Sequence, residues 1–459
     1  MKPMTESKKT GAYLVVALVL VGLAWLVSPR QISSTSANDQ GKPFFPDFTD
    51  PNAATSLEVV SYDQSTGSAT PFKVEFKNDR WVIPSHHDYP ADAKDRLAKT
   101  AAGVIDIKRD EFRSQNVADY AQFGVVDPLD DKVTGLAGRG TRITLRGAGD
   151  KLLADFIVGN PVQGKSGYRF VRVPSETRVY AAKIDADLSP RFEDWINRDL
   201  LEIKQSDVSK LAWNDYSVDP RTGGVAQRDN FSIENKSGKW FTSKPSAGQA
   251  IDSAKMQSLL AGLGLQIVGV RPKPPALVQV LQGNSQAQLT QAEVMSLQSK
   301  GFYISRSGQL LSNDGEMAIY LNDGVYYMLR FGEIMYAAGA GLTAGEDDST
   351  SAPSKSGTAN RYLFVTASYD QSFAKEPPRP AGTEWRSKPD SLMTEAEKAN
   401  KKIGVEHDRW QRQIETAKQK AAELNTRFSD WYYVISEDSF SKIHVKRSDL
   451  TSRTPAAKS

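Results

Sequence analysis

The chain has 459 residues, of which 39% are hydrophobic and 25% charged, and its net charge at pH 7 is +3. This composition is typical of a soluble globular body, and the length predicts two or three domains. The near-balanced charge, without a basic stripe and interleaved aromatic residues, argues against nucleic-acid binding. The absence of cysteine excludes disulfides, thiolate chemistry and a lipid-modified cysteine.

An uncharged apolar run begins at Gly11 and ends at Val27. As a helix it would extend roughly 25 Å, at the short end of what crosses a bilayer. Lysines outnumber acidic residues before the run, which favours a cytoplasmic N-terminus and a translocated body. The sequence therefore predicts a cytoplasmic tail over residues 1–10 and contact with the membrane through a transmembrane signal anchor over residues 11–27.

A cleaved secretory signal is the alternative interpretation of the same run. Its apolar core is shorter, roughly 7–15 residues, and it ends close to a small-x-small cleavage site. Here Ser28-Pro29-Arg30 follows directly, and the nearest such site, Thr35-Ser36-Ala37, lies farther along. The sequence thus favours a retained anchor in the inner membrane with an extracytoplasmic, periplasmic body. Residues 28–54, rich in Ser, Pro, Asp and Asn, are predicted to be a linker.

One pattern of strands and a helix occurs twice in the body. In each copy a strand hairpin that contains a tryptophan, Trp81 or Trp240, precedes a helical stretch. The corresponding residues of the two copies keep a near-constant offset across several elements. This offset predicts an internal repeat, with one α+β unit over residues 55–203 and a similar unit over residues 204–374.

Sequence patterns within the two copies predict strands, hairpin turns, helix caps and core residues. Apolar alternation over residues 72–76 predicts a strand, and two-residue turns predict hairpins. Asp92 and Asp252 stand where helix N-caps are expected, which is a better explanation than a catalytic role. Trp81 and Trp240 are interpreted as core anchors rather than ligand platforms.

The second copy differs from the first by an insertion. Both copies continue into a half predicted to form antiparallel strands, and the second has Gly, Ala, Ser, Thr and Asp over residues 337–359. This composition predicts a mobile loop. Residues 375–393, which contain several prolines, are predicted to be an irregular connector.

A long helix is predicted over residues 394–428, about 35 residues or roughly 50 Å in length. Its apolar residues form a heptad-like seam: Ile403, Trp410, Ile414, Ala417, Ala421, Leu424 and Phe428. A helix that lies on its own domain is favoured, and a partner-binding or coiled-coil arm is the alternative. Residues 429–450 are predicted to provide a strand that closes the sheet of the second unit, followed by a disordered tail over residues 451–459.

Short motifs along the body form a recognisable set. They are Trp81 to Pro84, Ala91-Asp92, Tyr120-x-x-Phe123-Gly124-Val125-x-x-Pro128, Ile157-Val158-Gly159, Tyr168 to Arg172, Arg178-Val179-Tyr180 and Phe428 to Ile435. Together they resemble a bacterial family of membrane-anchored proteins, domain of unknown function 4340 (DUF4340), in its two-copy form. The resemblance implies an accessory role beside a gliding-type ABC transport system and implies no active site. The second copy departs from the family pattern because it lacks a clear Tyr-x-x-Phe-Gly segment.

The sequence predicts no catalytic, cofactor-binding or metal-binding residues. The adjacent His86 and His87 have no Cys or closely spaced His partner for a metal ion. No phosphate-binding loop of the ATPase type occurs, and Gly164-Lys165-Ser166-Gly167 does not match the nucleophile elbow of hydrolases. The paired acids Asp347 and Asp348 fall in the insertion and are interpreted as solvated.

These observations combine into one prediction of fold class and function. The fold class is α+β, with an N-terminal transmembrane helix, two similar units of antiparallel sheets with helices, and a long C-terminal helix. The predicted function is that of a non-enzymatic, single-pass inner-membrane protein whose duplicated body is a scaffold or accessory subunit of an ABC-type, gliding-like transport system. An extracytoplasmic ligand- or cell-wall-binding protein is the alternative, and an envelope polymer hydrolase is a weaker one.

Overall fold

A computed structural model describes the chain over residues 17–18, 39–65, 67–219, 221–245, 249–281, 287–337, 339–344, 359–370 and 372–453. The chain divides into two compact units. The N-terminal unit comprises Met1–Pro71 and Leu97–Leu188, and the C-terminal unit comprises Phe72–Arg96 and Ser189–Ser459. Because these bounds do not follow the predicted division between residues 203 and 204, the internal duplication stays a prediction.

The helices and strands alternate along the chain in the order expected of a mixed fold. The α-helices described are α1 (Lys94–Ile105), α2 (Tyr120–Phe123), α3 (Ser253–Gly262), α4 (Pro275–Leu281), α5 (Gln291–Ser299), α6 (Gly339–Thr343), α7 (Glu395–Phe428) and α8 (Glu437–Ile443). The strands described are β1 (Ala54–Asp63), β2 (Ser68–Lys77), β3 (Arg80–Ile83), β4 (Tyr89–Pro90), β5 (Glu111–Ser114), β6 (Thr141–Gly147), β7 (Lys151–Pro161), β8 (Tyr168–Arg172), β9 (Val179–Lys183), β10 (Val208–Val218), β11 (Val225–Lys236), β12 (Lys239–Thr242), β13 (Gln249–Ile251), β14 (Gly269–Pro272), β15 (Phe302–Ile304), β16 (Leu310–Ser312), β17 (Glu316–Leu321), β18 (Val325–Tyr336), β19 (Ala359–Tyr369), β20 (Trp431–Ser436) and β21 (Thr451–Arg453).

The N-terminal unit is built on antiparallel strands in the order β1-β6-β7-β8-β9-β5. Alternate side chains of β1, among them Leu57 and Val59, are fully buried. Helix α1 buries Leu97, Ala101 and Val104, which share one helical face at i, i+4 and i+7. The core of this unit therefore lies where the period-two pattern of the sheet and the 3.6-residue pattern of the helix predict it.

The C-terminal unit contains a larger antiparallel sheet, with the strand order β12-β11-β10-β17-β18-β19-β20-β14. The strand predicted within residues 429–450 is confirmed as β20, which lies between β19 and β14 in this order. The same unit includes most of β2, which pairs with β3, and β3 in turn pairs with β4. The predicted antiparallel sheets are thus confirmed in both units.

The long C-terminal helix is confirmed as α7, which has 34 residues. It begins with a capping box in which Thr394 accepts from the amide of Glu397 at 3.3 Å while the Glu397 carboxylate accepts from the amide of Thr394 at 2.7 Å. Towards its C-terminus, Ala417 and Ala421 pack in a cluster with Val325. This part of α7 therefore lies on the sheet of its own unit.

The N-terminal half of α7 is covered by the proline-containing segment that precedes it. The indole nitrogen of Trp410 donates to the carbonyl of Ala374 at 3.0 Å, and the Asn400 side chain bonds to both backbone groups of Ala381 at 2.8 Å. Gly404 lies directly against the buried ring of Trp385. Residues of the same chain thus pack on both halves of α7, as the favoured interpretation of a helix on its own domain predicts.

Gly404 provides a test of this packing. An alanine for a glycine inside an exposed helix normally stabilises it by about 1 kcal/mol. A Cβ atom at Gly404, however, would overlap the Trp385 ring, so we expect Gly404→Ala to lower the free energy of unfolding by about 1–3 kcal/mol. Urea unfolding measures the change, with the exposed Thr416→Ala on the same helix as the control. A Gly404→Ala protein as stable as the control would contradict the packing.

The structure corrects the prediction of an N-terminal transmembrane helix, which was part of the predicted fold class. Among the residues described, no helix is both long and apolar enough to span a membrane. Helix α7 has the length, but charged residues occur throughout it, and charged groups are costly in the bilayer core. Of the predicted anchor, Ala17 and Leu18 are described, and the remainder of residues 11–27 lies outside the described residues, as does the predicted tail over 1–10.

The ends of two predicted irregular segments contain regular structure. Within the insertion predicted over residues 337–359, α6 is formed, whereas residues 345–358 lie outside those described. At the C-terminus, β21 pairs antiparallel with β13, which aligns Gln249 with Arg453. Residues 454–459 of the predicted tail lie outside the described residues.

Candidate binding groove

The hairpin of β11 and β12 places two aromatic side chains at one end of the large sheet. Ser237 and Gly238 both have positive φ, 54° and 83°, which is the geometry of the two-residue hairpin turn predicted there. Strand β12 is the terminal strand in the sheet order, and its residues Trp240 and Phe241 face Asn235 and Glu234 of β11. The turn therefore sets the pairing register between β11 and β12, and it places both aromatic residues on the last strand of the sheet.

Helix α3 supplies the opposite side of this region. The Asp252 carboxylate accepts from the amides of Ala254 at 2.9 Å and Lys255 at 3.2 Å, so the predicted N-cap is confirmed. The equivalent prediction at Asp92 is not confirmed: α1 begins two residues later, and no bond from the Asp92 carboxylate to that helix is among the described contacts. The cap at Asp252 fixes the start of α3 and with it the position of the helix side chains.

A groove of 770 Å³ lies between β12, β13 and α3. Its apolar lining consists of Trp240, Phe241, Pro245, Ala250, Ile251, Leu260 and Met256, of which Met256 is buried, with 1% of the residue exposed. The Phe241 side chain is 50% exposed, and Trp240 is half-buried. The prediction that Trp240 is a core anchor is therefore wrong, because its ring lines an open groove. Its exposure depends on which elements cover β12, and the sequence around Trp240 has no signal for this.

Three lysines lie in or next to the segments that line the groove. Lys239 lines it, and the exposed Lys244 and Lys255 lie next to lining residues in the chain. The Lys244 ammonium has Asp229 as an ion-pair partner at 3.5 Å. The carboxylate of Asp252, the acid nearest in sequence to the lining residues, is already engaged by helix amides. An apolar ligand with negative charge beside it would complement this surface.

The adjacent histidines considered in the sequence bond to other parts of the C-terminal unit. The His86 Nε2 atom lies 2.8 Å from the Thr343 hydroxyl, and the His86 ring stacks on Phe192 at 4.3 Å. The Nε2 atom of His87 lies 2.7 Å from the carbonyl oxygen of Ala344. Burial, with the charges of His87 and Arg271 as lesser causes, lowers the pKa of His86 to about 4.

These contacts give the histidines a structural role at the start of the insertion. Arg271 donates to the carbonyl oxygens of Gly341 at 2.6 Å and Leu342 at 3.2 Å, beside the His86 and His87 contacts. Within the described ranges, no group of three or more His, Cys, Asp or Glu side chains is placed to hold a metal ion. The histidine pair therefore fastens α6 and the residue after it.

A comparison with known families adds one finding to this geometry. Residues 81–280 match DUF4340. The family is described as a domain of unknown function, so the match supports the resemblance seen in the sequence and names no activity. No curated protein and no solved structure matches the chain. All residues that line the groove fall inside the DUF4340 match, from Gly238 to Leu260.

Proposed function

We propose that this protein is a non-catalytic binding protein, a scaffold or accessory subunit that holds a partner protein in the groove beside Trp240. The observation that supports the proposal is the apolar lining of an open groove of 770 Å³, in which Phe241 is half exposed. Aromatic residues and methionine are the side chains most enriched at protein interfaces. An apolar side chain of a partner would be buried in such a groove, and burial of apolar surface stabilises a complex.

We base the proposed occupant on the chemistry of the groove. We propose an extended or helical protein segment with an apolar anchor side chain and acidic residues beside it. The anchor would contact Trp240 and Phe241, and the acids would lie near Lys239, Lys244 and Lys255. Because exposed charges act mainly on association, these three lysines would increase the association rate and make binding salt-dependent.

The family resemblance supports one source for this partner. We propose that the partner is a component of an ABC-type, gliding-like transport system and that binding takes place on the extracytoplasmic side of the inner membrane. The groove lies in the stretch that matches DUF4340, which supports binding as a property of the family domain.

Site-specific cross-linking tests the proposal. A photoreactive residue is placed at Phe241 in the groove or, as the matched control, at Leu152, which is 52% exposed in the N-terminal unit. We expect a transport component to cross-link from position 241 and not from position 152. The adduct should fall at least about tenfold in Trp240→Ala, the loss expected for one interface hot spot, and should decrease at high salt.

Two outcomes would contradict this function. The first is equal cross-linking from positions 241 and 152, or an adduct that Trp240→Ala leaves unchanged. The second is a rise in the melting temperature of the wild type, but not of Trp240→Ala, on addition of glycans or small metabolites. That result would instead assign the groove to a ligand- or cell-wall-binding protein.

A further inference from the structure

A tight turn in the N-terminal unit presents a leucine to solvent. The turn consists of Asp127, Pro128, Leu129 and Asp130, and the amide of Asp130 donates to the carbonyl of Asp127 at 3.1 Å. Aspartate and proline are the residues that β-turns favour at their first and second positions. The turn therefore places Leu129 at its tip, where 54% of the residue is exposed.

The base of this turn is fixed, although its tip is exposed. The Asp127 carboxylate accepts from the amide of Leu129 at 2.9 Å and from the guanidinium of Arg142 at 3.0 Å. The Arg139 guanidinium donates to the carbonyl oxygens of Asp127 at 3.0 Å and Pro128 at 3.2 Å. A turn held in this way loses little conformational freedom on binding, which favours affinity.

The residues that follow Leu129 are mainly acidic. Asp130 is half-buried, and its carboxylate accepts from the amide of Lys132 at 2.9 Å, whereas Asp131 is exposed. Because the two acids outnumber Lys132, this stretch is negative. An exposed apolar side chain with acids beside it is the chemistry that we propose for the occupant of the groove beside Trp240. The chain therefore contains a segment of that chemistry itself.

The groove complements this turn in both apolarity and charge. Trp240 and Phe241 line it, and Lys239, Lys244 and Lys255 lie in or next to the segments that line it. The leucine would be buried against the two rings, and burial of apolar surface stabilises a complex. The acids of the turn would meet lysines, and such complementary charges favour association. The groove volume of 770 Å³ falls in the range of typical ligand sites, roughly 300–1,000 Å³.

We propose that the Leu129 turn of one copy binds in the groove of a second copy of this chain. The contact joins the N-terminal unit of one copy to the C-terminal unit of the next, so it is heterologous and extends into a chain or a ring of copies. This proposal rests on the proposed binding role of the groove and adds its regulation. A groove that holds the turn is closed to the transport component, so self-association and partner binding compete for Trp240 and Phe241.

Cross-linking between two isotopic forms of the purified full chain tests the contact. One form has a photoreactive phenylalanine analogue at Phe241, and the other is labelled with heavy nitrogen and has no photoreactive residue. We expect an adduct between position 241 and the heavy peptide that contains Leu129, which increases with protein concentration and decreases at high salt. With the photoreactive residue at the exposed Leu152 instead, as the matched control, we expect no adduct.

Three variants of the heavy form connect the adduct to the turn. Leu129→Ala removes the anchor side chain and should lower the adduct at least about tenfold, the loss expected for one interface hot spot. Asp131→Lys reverses an exposed charge and should lower the adduct at least about fivefold at low salt. Leu136→Ala, the control, changes a 50% exposed leucine of the same loop that has no acid beside it, and should leave the adduct unchanged.

Three outcomes would overturn the proposal. They are an adduct that Leu129→Ala leaves unchanged, an adduct that forms only within one copy, and no adduct to the heavy form. If no heavy adduct forms while position 241 still cross-links to a transport component, self-association alone fails and the proposed function stands. A heavy adduct without any adduct to a transport component would support self-association and contradict the proposed partner.

Discussion

Replacing Arg361 with alanine is expected to lower the free energy of unfolding of the C-terminal unit by about 3 kcal/mol. The guanidinium donates to the Asp314 carboxylate at 2.6 Å, to both oxygens of Glu437 at 3.1 and 3.2 Å, and to the carbonyl of Gly332 at 2.9 Å. It also lies 3.9 Å from the ring centre of Phe440. These contacts join the loop before β17, β18 and α8 to β19, so the side chain ties together several elements of the unit.

The size of the effect follows from burial. Breaking a buried ion pair by removal of one partner costs about 3–5 kcal/mol, because the other charge is left without compensation. The Arg361 side chain is 4% exposed, whereas those of Asp314 and Glu437 are 29% and 30% exposed. Water can therefore solvate part of the remaining negative charge, which places the expected loss at the lower end of this range.

Equilibrium unfolding in urea measures this loss, with two variants for comparison. Arg361→Met keeps the aliphatic stem and should be nearly as unstable as Arg361→Ala if the charge contacts dominate. Arg379→Ala removes an ion pair to Glu376 from a side chain that is 78% exposed, and should cost under about 1 kcal/mol. An Arg361→Ala protein as stable as Arg379→Ala would show that the network contributes little.

Replacing Lys273 with methionine is expected to stabilise the C-terminal unit at pH 7 and to lose most of this advantage by pH 10. The pKa of Lys273 is lowered to about 7 in the folded protein, below the ordinary value near 10.4. Between these two pH values the unfolded chain binds more protons than the folded one, so the stability of the wild type rises with pH. Below about pH 7 the lysine is protonated in both states and its burial penalty is complete.

Methionine has no charge to bury, and it loses the bond of 2.9 Å from Nζ to the carbonyl of Phe428, which is worth about 1 kcal/mol. We therefore expect the difference in unfolding free energy between Lys273→Met and the wild type to shrink by about 2 kcal/mol or more from pH 7 to pH 10. Urea unfolding of both proteins at several pH values measures this difference directly, since other titrating groups cancel. A difference independent of pH would contradict the lowered pKa.

Several elements could be predicted because their signals are local. Helix α7 follows from its spacing of apolar residues and from the Thr394 capping box. Strand β20 follows from an uninterrupted apolar and aromatic run. The Asp252 cap and the turn at Ser237 and Gly238 follow from residue types with one preferred local geometry. Each of these depends on neighbours within a few positions of the chain.

The transmembrane helix in the predicted fold class rested on the length and apolarity of one run and on its flanking lysines, and no helix among the residues described has the length and apolarity to span a membrane. The role of Trp240 was missed for a different reason. Whether a strand tryptophan is in the core depends on whether another strand or helix covers it, and β12 is the last strand of its sheet. Periodicity records which side chains share a face but not which face is covered.

Local patterns in the sequence predict the antiparallel strands and the long amphipathic helix, and the match supports the resemblance to DUF4340 over residues 81–280. The environment of Trp240 and of Lys273 depends instead on contacts between residues distant in sequence. The groove needs β13, which pairs with β21 far along the chain, and the burial of Lys273 needs Phe364 from β19, Phe428 from α7 and Tyr432 from β20. Burial is a property of residues distant in sequence, and it sets both the exposure of an aromatic ring and the pKa of an amine.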